Sequence, residues 1–328
     1  MHVLITGGTG FIGSRLALRC RELGQQVRVF AQVNNEAERQ NKEMVEAAGA
    51  EIIVGSLTEP DGLERACRDI DLVVHLAAAQ HEANVPDRRF RDVNVTGTET
   101  LLDASVRAGV GRFVYGSTIG VYGRPEGVLD ESSPTRPVNI YGATKLEAES
   151  RVLSFQGKLP VVVVRISETY GPGDRRLLKL FKAIEKGVFF MIGRGDNLHH
   201  MIFVGDLIDG LLLAGCSPAA VGEVFILCGP EAPTTKALTE AVAGQLNRKM
   251  PRVCVPLWPM MALAVAIEGA CKPLGMQPPL HRRRMDFFTK SFSFSGEKSA
   301  SVLGFTPMTG LRKGIEETAR WYKETGNL

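Results

Sequence analysis

Val3-Leu4-Ile5-Thr6-Gly7-Gly8-Thr9-Gly10-Phe11-Ile12-Gly13 follows only two residues into the chain. The apolar run Val3–Ile5 has the character of a parallel strand buried on both faces. A glycine turn follows at once, and then an apolar helical pattern through Leu16, Ala17, Leu18 and Leu23. A strand, a glycine turn and a helix N-terminus in that order aim backbone N–H groups and the positive end of a helix dipole at one point. This predicts a pyrophosphate site. Gly7 permits the tight turn, Gly10 lets the backbone approach phosphates, and Gly13 lets the helix pack on the sheet. The spacing is Gly-x-x-Gly-x-x-Gly rather than the common Gly-x-Gly-x-x-Gly, so the weight rests on its place at the start of a βαβ pattern.

Working outward, strands and helices alternate. Val27–Ala31, Glu51–Gly55, Asp71–Ala78, Arg112–Tyr115 and Val161–Ile166 read as strands, with helices predicted at 36–48, from Pro60, through Leu101–Val106 and from Tyr141. The pattern predicts an α/β, doubly wound, mostly parallel sheet. After Asp174 it loosens into short strands and helices, with His199-His200 at a loop end. Residues 1–175 are therefore assigned to a dinucleotide-binding domain, with a strand near 224–228 as the candidate for return of the chain to it. Residues 176–328 are assigned mainly to a smaller C-terminal substrate lobe. The second strand ends in Ala31 and Gln32, where an acid would favour NAD and a nearby arginine NADP. Arg28, Arg39 and Lys42 are the cations within reach of a 2′-phosphate, and the choice between NAD and NADP stays open. Small residues at 77–78 let a cofactor lie on the sheet, and His75, inside an apolar strand, reads as structural.

The bulk properties exclude several classes. The chain has 328 residues, 44% hydrophobic and 23% charged, with net charge +3, which gives no case for a nucleic-acid partner. Six scattered cysteines form no metal clip or redox dithiol, so no metal site is expected and a reducing, cytoplasmic compartment is. No apolar run reaches 18 residues and no leader is visible at the N-terminus, so no membrane span is expected. The apolar segment Pro256–Ile267 reads first as a helix buried in the small lobe. Its alternatives are the lining of an apolar pocket or a peripheral contact with a membrane or partner.

Tyr141 and Lys145 stand four apart on a predicted helix, one turn apart on one face. An ammonium favours a nearby phenolate, and a lysine there can also hold a nicotinamide ribose. Thr118, at a strand end, can hold the substrate oxygen while Tyr141 exchanges a proton. The pair alone recurs by chance in helices, and its combination with the glycine turn and the Ser117-Thr118 strand end gives it meaning.

That combination resembles the extended short-chain dehydrogenase/reductase family, which includes nucleotide-sugar epimerases and dehydratases. The matches are Thr6–Gly13, His75–Ala78, Asn94-Val95-Thr96-Gly97-Thr98, Gly116–Gly123, Tyr141–Lys145, Arg165 and Tyr170-Gly171-Pro172-Gly173. The resemblance implies a Rossmann fold, a catalytic Thr118, Tyr141 and Lys145, and a homodimer through the helices near Leu101 and Tyr141. It implies cofactor contacts at Gly7, Thr9, Gly10, Phe11, Ile12, Gly13, Ala31, Gln32, Leu57, Leu76, Ala77, Ala78 and Asn94, besides Tyr141 and Lys145. Substrate contacts are expected from Ala79, His81, Ser117, Glu168, Arg175 and His199. Ala31 and Ser56 depart from the acids found in NAD-preferring members. Glu168 stands where epimerases commonly carry an asparagine beside the diphosphate, and a carboxylate there repels a diphosphate unless neutralised.

With the apolar Pro256 region, Phe287-Phe288 and Trp321-Tyr322, the chain looks nearer the branch of 3β-hydroxysteroid dehydrogenases and dihydroflavonol-type reductases. The first expectation is therefore NAD(P)-dependent oxidation or reduction of a secondary alcohol or ketone on a rather apolar, steroid-like or keto-acyl molecule. The second is a nucleotide-sugar epimerase or dehydratase that retains its cofactor. A cofactor-sensing or scaffold role is the non-enzyme alternative.

Overall fold

A computed structural model describes residues 1–80, 86–124, 126–250, 254–271 and 282–328. The first half alternates β1 His2–Thr6, α1 Phe11–Glu22, β2 Gln26–Ala31, α2 Glu36–Ala47, β3 Glu51–Val54, α3 Pro60–Cys67 and β4 Leu72–His75. Then come α4 Asp87–Arg91, a π-helical turn Asp92–Thr96, α5 Gly97–Arg107, β5 Arg112–Thr118, α6 Ile140–Ser154 and β6 Val161–Ile166. The later chain forms β7 Glu168–Tyr170, α7 Leu178–Glu185, β8 Met191–Ile192, β9 Met201–Phe203, α8 Val204–Cys216, β10 Val224–Leu227 and α9 Thr235–Gln245. It ends with β11 Cys254–Val255, α10 Leu257–Cys271, α11 Arg282–Thr289, α12 Glu297–Leu303 and α13 Leu311–Glu324.

Seven strands form one sheet in the order β3-β2-β1-β4-β5-β6-β10, and each neighbouring pair is parallel. Val3, Leu4, Ile5 and Val161–Val164 are fully buried because helices cover both faces. Leu16, Ala17, Leu207 and Leu211 pack on one face, and Leu63, Leu101, Leu102, Ala148 and Val152 on the other. The α/β doubly wound reading of the sequence is the fold observed. Strand order reverses between β1 and β4, which opens a crevice at the carboxyl ends of the strands.

Two short parallel pairs, β7–β9 and β8–β11, build the C-terminal region. Its core gathers Phe181, Leu238, Ile315 and Tyr322. The Tyr322 hydroxyl donates to the Asp174 carbonyl at 2.6 Å, tying the last helix to the loop after β7. Expectation and structure differ in particulars. α8 begins at Val204, because only Met201–Phe203 finds a strand partner in β7. The expected burial of the Pro256–Ile267 helix is not met. Only Ala264 is fully covered, and Trp258 is 77% exposed. Among the described residues no helix is long and apolar enough to cross a membrane.

Candidate active site

A cleft of about 1,200 Å3 lies along the carboxyl ends of the strands. Its floor begins at the β1–α1 turn. Gly7 has φ +70°, and a Cβ on Gly13 would lie 2.3 Å from the Gly7 carbonyl oxygen, so α1 sits against the turn only because residue 13 lacks a side chain. Gly10 caps α1 with no side-chain partner, leaving first-turn N–H groups to face a ligand. Gly7, Thr9, Gly10, Phe11, Ile12, Gly13, Ala31, Gln32, Leu57, Leu76, Ala77 and Ala78 all line the cleft, as expected for a dinucleotide. These residues fit such a cofactor, since the turn offers donors to phosphates and small residues leave room over β4.

Asn94 does not line the cleft. Its Oδ1 accepts from the Ala79 N–H at 2.8 Å, while its Nδ2 donates to the Ala79 carbonyl and to Thr144 Oγ1. Its amide, on the buried π-helical turn, braces the β4 end from behind the cleft wall. Ala79 is itself buried at the cleft wall. His75 is structural, with Nδ1 2.6 Å from Thr6 Oγ1 and Nε2 2.9 Å from Thr98 Oγ1. Thr98 donates to the Asn94 carbonyl, so its oxygen accepts from Nε2–H. Burial first, and Lys145 second, hold the His75 pKa well below its ordinary value.

Thr118, Tyr141 and Lys145 all line the cleft where α6 abuts the end of β5. Asn139 caps α6 by accepting from the Gly142 N–H at 2.8 Å. A Cβ on Gly142 would sit 2.7 Å from the Gly120 carbonyl oxygen, so glycine lets the helix start press on the turn after Thr118. The Thr118 hydroxyl lies close enough there to act on the Tyr141 phenol. Burial raises the Tyr141 pKa to about 12, against the charge of Arg176 and the Thr118 hydrogen bond, which lower it. Lys145, one turn on, is buried with Nζ 4.0 Å from the Tyr115 ring centre. Burial lowers its pKa to about 7, with the Glu149 charge opposing. Tyr141 is therefore a phenol at neutral pH, and Lys145 titrates near neutral pH.

Beneath this trio lies a buried polar bracket that sequence reasoning did not assemble. Ser117 Oγ donates to Glu149, so its hydroxyl is committed to the bracket although Ser117 reaches the cleft wall. Arg165 donates to both Glu149 oxygens, at 3.2 and 2.8 Å, and to the Tyr122 hydroxyl at 2.7 Å. The signal was present in part, since Glu149 follows Lys145 by one helical turn.

At the C-terminal side, Glu168, Arg175 and Arg176 reach the cleft, with Arg88, Arg89 and Trp321. Buried His199 places Nδ1 3.0 Å from Glu168 Oε2 and Nε2 2.9 Å from Thr235 Oγ1, and the Phe287 ring packs tilted against its ring at 4.7 Å. Burial pushes the Glu168 pKa up, but the His199 hydrogen bond and the charges of His199, Arg176 and Lys290 outweigh it and leave the carboxyl below its usual range. His199 itself is behind the wall and acts on the cleft through Glu168. Arg175 reaches across to Gln40 on α2 at 2.9 Å. His81 lies outside the described residues. No group of acids, histidines and cysteines that would hold a metal exists among the described residues.

The sequence model of the NAD dependent epimerase/dehydratase family matches residues 3–228. The chain belongs to this family. It is 27% identical to the N-acetyl-alpha-D-glucosaminyl-diphospho-ditrans,octacis-undecaprenol 4-epimerase of Escherichia coli O157:H7, over 98% of this chain and 95% of that protein. It is 35% identical to the 4-hydroxy-2-methyl-3-oxo-4-farnesyl-3,4-dihydroquinoline-1-oxide ketoreductase of Stigmatella aurantiaca, over 96% of this chain and 95% of that one. Its structure matches MoeE5 in complex with UDP-glucuronic acid and NAD, with a TM-score of 0.78 and 26% identity, covering 99% of this chain and all of that one. Family membership is thereby shown. The narrower placement beside 3β-hydroxysteroid dehydrogenases and dihydroflavonol-type reductases is not, because the relatives divide between sugar and ketone chemistry.

Proposed function

We propose that the protein is an NAD-dependent enzyme that oxidises a ring hydroxyl of a nucleotide sugar or related diphospho-sugar and returns the hydride, a 4-epimerase. The observation that carries this reading is the polar character of the substrate side of the cleft. Glu168, Thr169, Arg175, Arg176, Arg88 and Gln80 line it, and no residue of the apolar α10 does. A steroid-like substrate needs a largely apolar wall. The cleft also exceeds the roughly 300–1,000 Å3 of an ordinary small-ligand pocket, leaving room for a second nucleotide beside the first. Among the similar proteins, MoeE5 holds UDP-glucuronic acid and NAD, and one relative is a diphospho-sugar 4-epimerase. The arginines answer the objection that Glu168 raised, since Arg176 is close enough to act on both Glu168 and Tyr141.

The cofactor reading is NAD rather than NADP. The cations within sequence reach of a 2′-phosphate are engaged elsewhere. Arg28 pairs with Glu51 at 2.6 Å and donates to carbonyls near α3, Arg39 pairs with Glu36 and Lys42 with Glu46. Asn34, Asn35 and Glu38 face the cleft instead. When bound, NAD supplies the hydride acceptor and then the donor. Thr118 holds the reacting oxygen, and Tyr141 takes its proton on oxidation and returns it on reduction. Lys145 holds the ribose and, once charged, favours the phenolate. Glu168, fixed by His199, accepts a hydrogen bond from a neutral sugar hydroxyl. The homodimer belongs to the same reading, through the outer faces of α5 and α6, which Arg151 and Glu99 join at 3.0 Å.

The test is to denature purified protein and assay released nucleotide, then offer UDP- and dTDP-hexoses without added cofactor. Co-released NAD with C4 inversion supports the reading. An empty cleft with NADPH-dependent reduction of apolar ketones alone overturns it. Tyr141→Phe should cut turnover by about 10²–10⁴ while leaving NADH affinity nearly unchanged.

A further inference from the structure

The helix α10 reads Leu257-Trp258-Pro259-Met260-Met261-Ala262-Leu263-Ala264-Val265-Ala266-Ile267 before its first charge, Glu268. One face is covered. Ala264 packs with Ile192 and Met285, and with Met260, Met261 and Phe288 at the edge. The other face is open, with Trp258 77%, Leu263 47% and Val265 48% exposed. Exposed Ala262 and Ala266 fall between them at helical spacing. A surface helix ordinarily turns polar residues outward; this one turns out only apolar ones.

Charge indicates what covers that face. From Ala241 to Met285 the chain carries seven basic residues, Arg248, Lys249, Arg252, Lys272 and Arg282-Arg283-Arg284, against the single acid Glu268. That segment is net +6 in a chain of net +3, so the remainder is net −3. Arg248 and Lys249 are exposed just before β11. The basic residues flank the apolar helix on both sides in sequence. Two copies pairing through α10 would thus set like charges together in either orientation. A surface of phosphate headgroups over hydrocarbon complements both features at once.

We propose that the open face of α10 docks on an anionic lipid bilayer, with Trp258 at headgroup level. The helix has 15 residues, about 22 Å, so it lies in the interface and does not span. The docking face belongs to the block that holds the substrate side of the cleft. Phe288 meets Phe287 at 5.0 Å and Phe287 meets His199 at 4.7 Å.

The test is co-sedimentation of the full-length protein with vesicles of phosphatidylcholine alone and of phosphatidylcholine with phosphatidylglycerol, at low and high salt. Trp258→Glu/Leu263→Glu and Arg248→Glu/Lys249→Glu variants run in parallel. Retained NADH binding shows that each variant is folded. Wild type should bind the anionic vesicles at low salt, and each double variant should bind about tenfold or more weakly. Wild type left in the supernatant overturns the proposal, as does undiminished binding by the variants. So does sedimentation velocity showing a dimer that the Trp258→Glu/Leu263→Glu change dissociates.

Discussion

Replacing Lys145 with methionine should stabilise the cofactor-free protein at neutral pH, although it removes a residue proposed to be essential. Lys145 is 2% exposed, and burial lowers its pKa from 10.5 to about 7. In the unfolded chain the lysine keeps its ordinary value. Between the two values the unfolded state binds a proton that the folded state does not, so stability rises with pH by about 1.4 kcal/mol per unit across that window. Below the folded value both states are charged, and the folded state bears the whole penalty, roughly 5 kcal/mol for a shift of this size. Methionine has similar length, can lie over the Tyr115 ring and carries no proton. Glu149 keeps Arg165 as its partner. The difference in unfolding free energy, variant minus wild type, should therefore be several kcal/mol near pH 6 and shrink towards zero by about pH 10.5. Urea denaturation of both apoproteins across that range measures it, and subtracting the two curves cancels the titration of shared groups. A difference that does not change with pH would refute the reasoning, because it would mean that burial does not discharge Lys145. The same variant should lose turnover.

Three further outcomes follow from the geometry. Glu149→Gln leaves the Arg165 guanidinium buried without its carboxylate and should cost about 3–5 kcal/mol, read from the urea midpoint; a loss under about 1 kcal/mol would contradict the bracket. Gly13→Ala places a Cβ 2.3 Å from the Gly7 carbonyl oxygen, and should weaken NADH binding by about tenfold or more in a fluorescence titration. Glu168→Gln removes a carboxylate from the substrate side. The kcat/KM preference for a neutral UDP-hexose over the corresponding UDP-hexuronate should then fall by about tenfold, and an unchanged ratio would remove Glu168 from substrate selection.

Much of the cofactor end was legible because its signals are local. Gly7, Gly10 and Gly13 lie within seven residues of one another, and Tyr141 and Lys145 within one helical turn, so turn chemistry and helix periodicity suffice to place them. Asn94 shows the limit. Its residue type suited a ligand contact, but the π-helical turn points its amide at Ala79, and no period announces such a turn.

Hydrophobic period, backbone sterics and spacing along one element are enough to specify the parallel sheet, the glycine turn and the placing of Tyr141 and Lys145 on one helix face. What the substrate side is made of depends on contacts between distant parts of the chain. Glu168 and His199 are 31 residues apart, and Trp321 returns to the cleft from the last helix. Tertiary structure also decided that α10 is half open and away from the cleft, which turned the reading from an apolar ligand to a polar one. Composition fixes how apolar a helix is, but which of its faces finds a partner depends on the elements that the chain brings beside it.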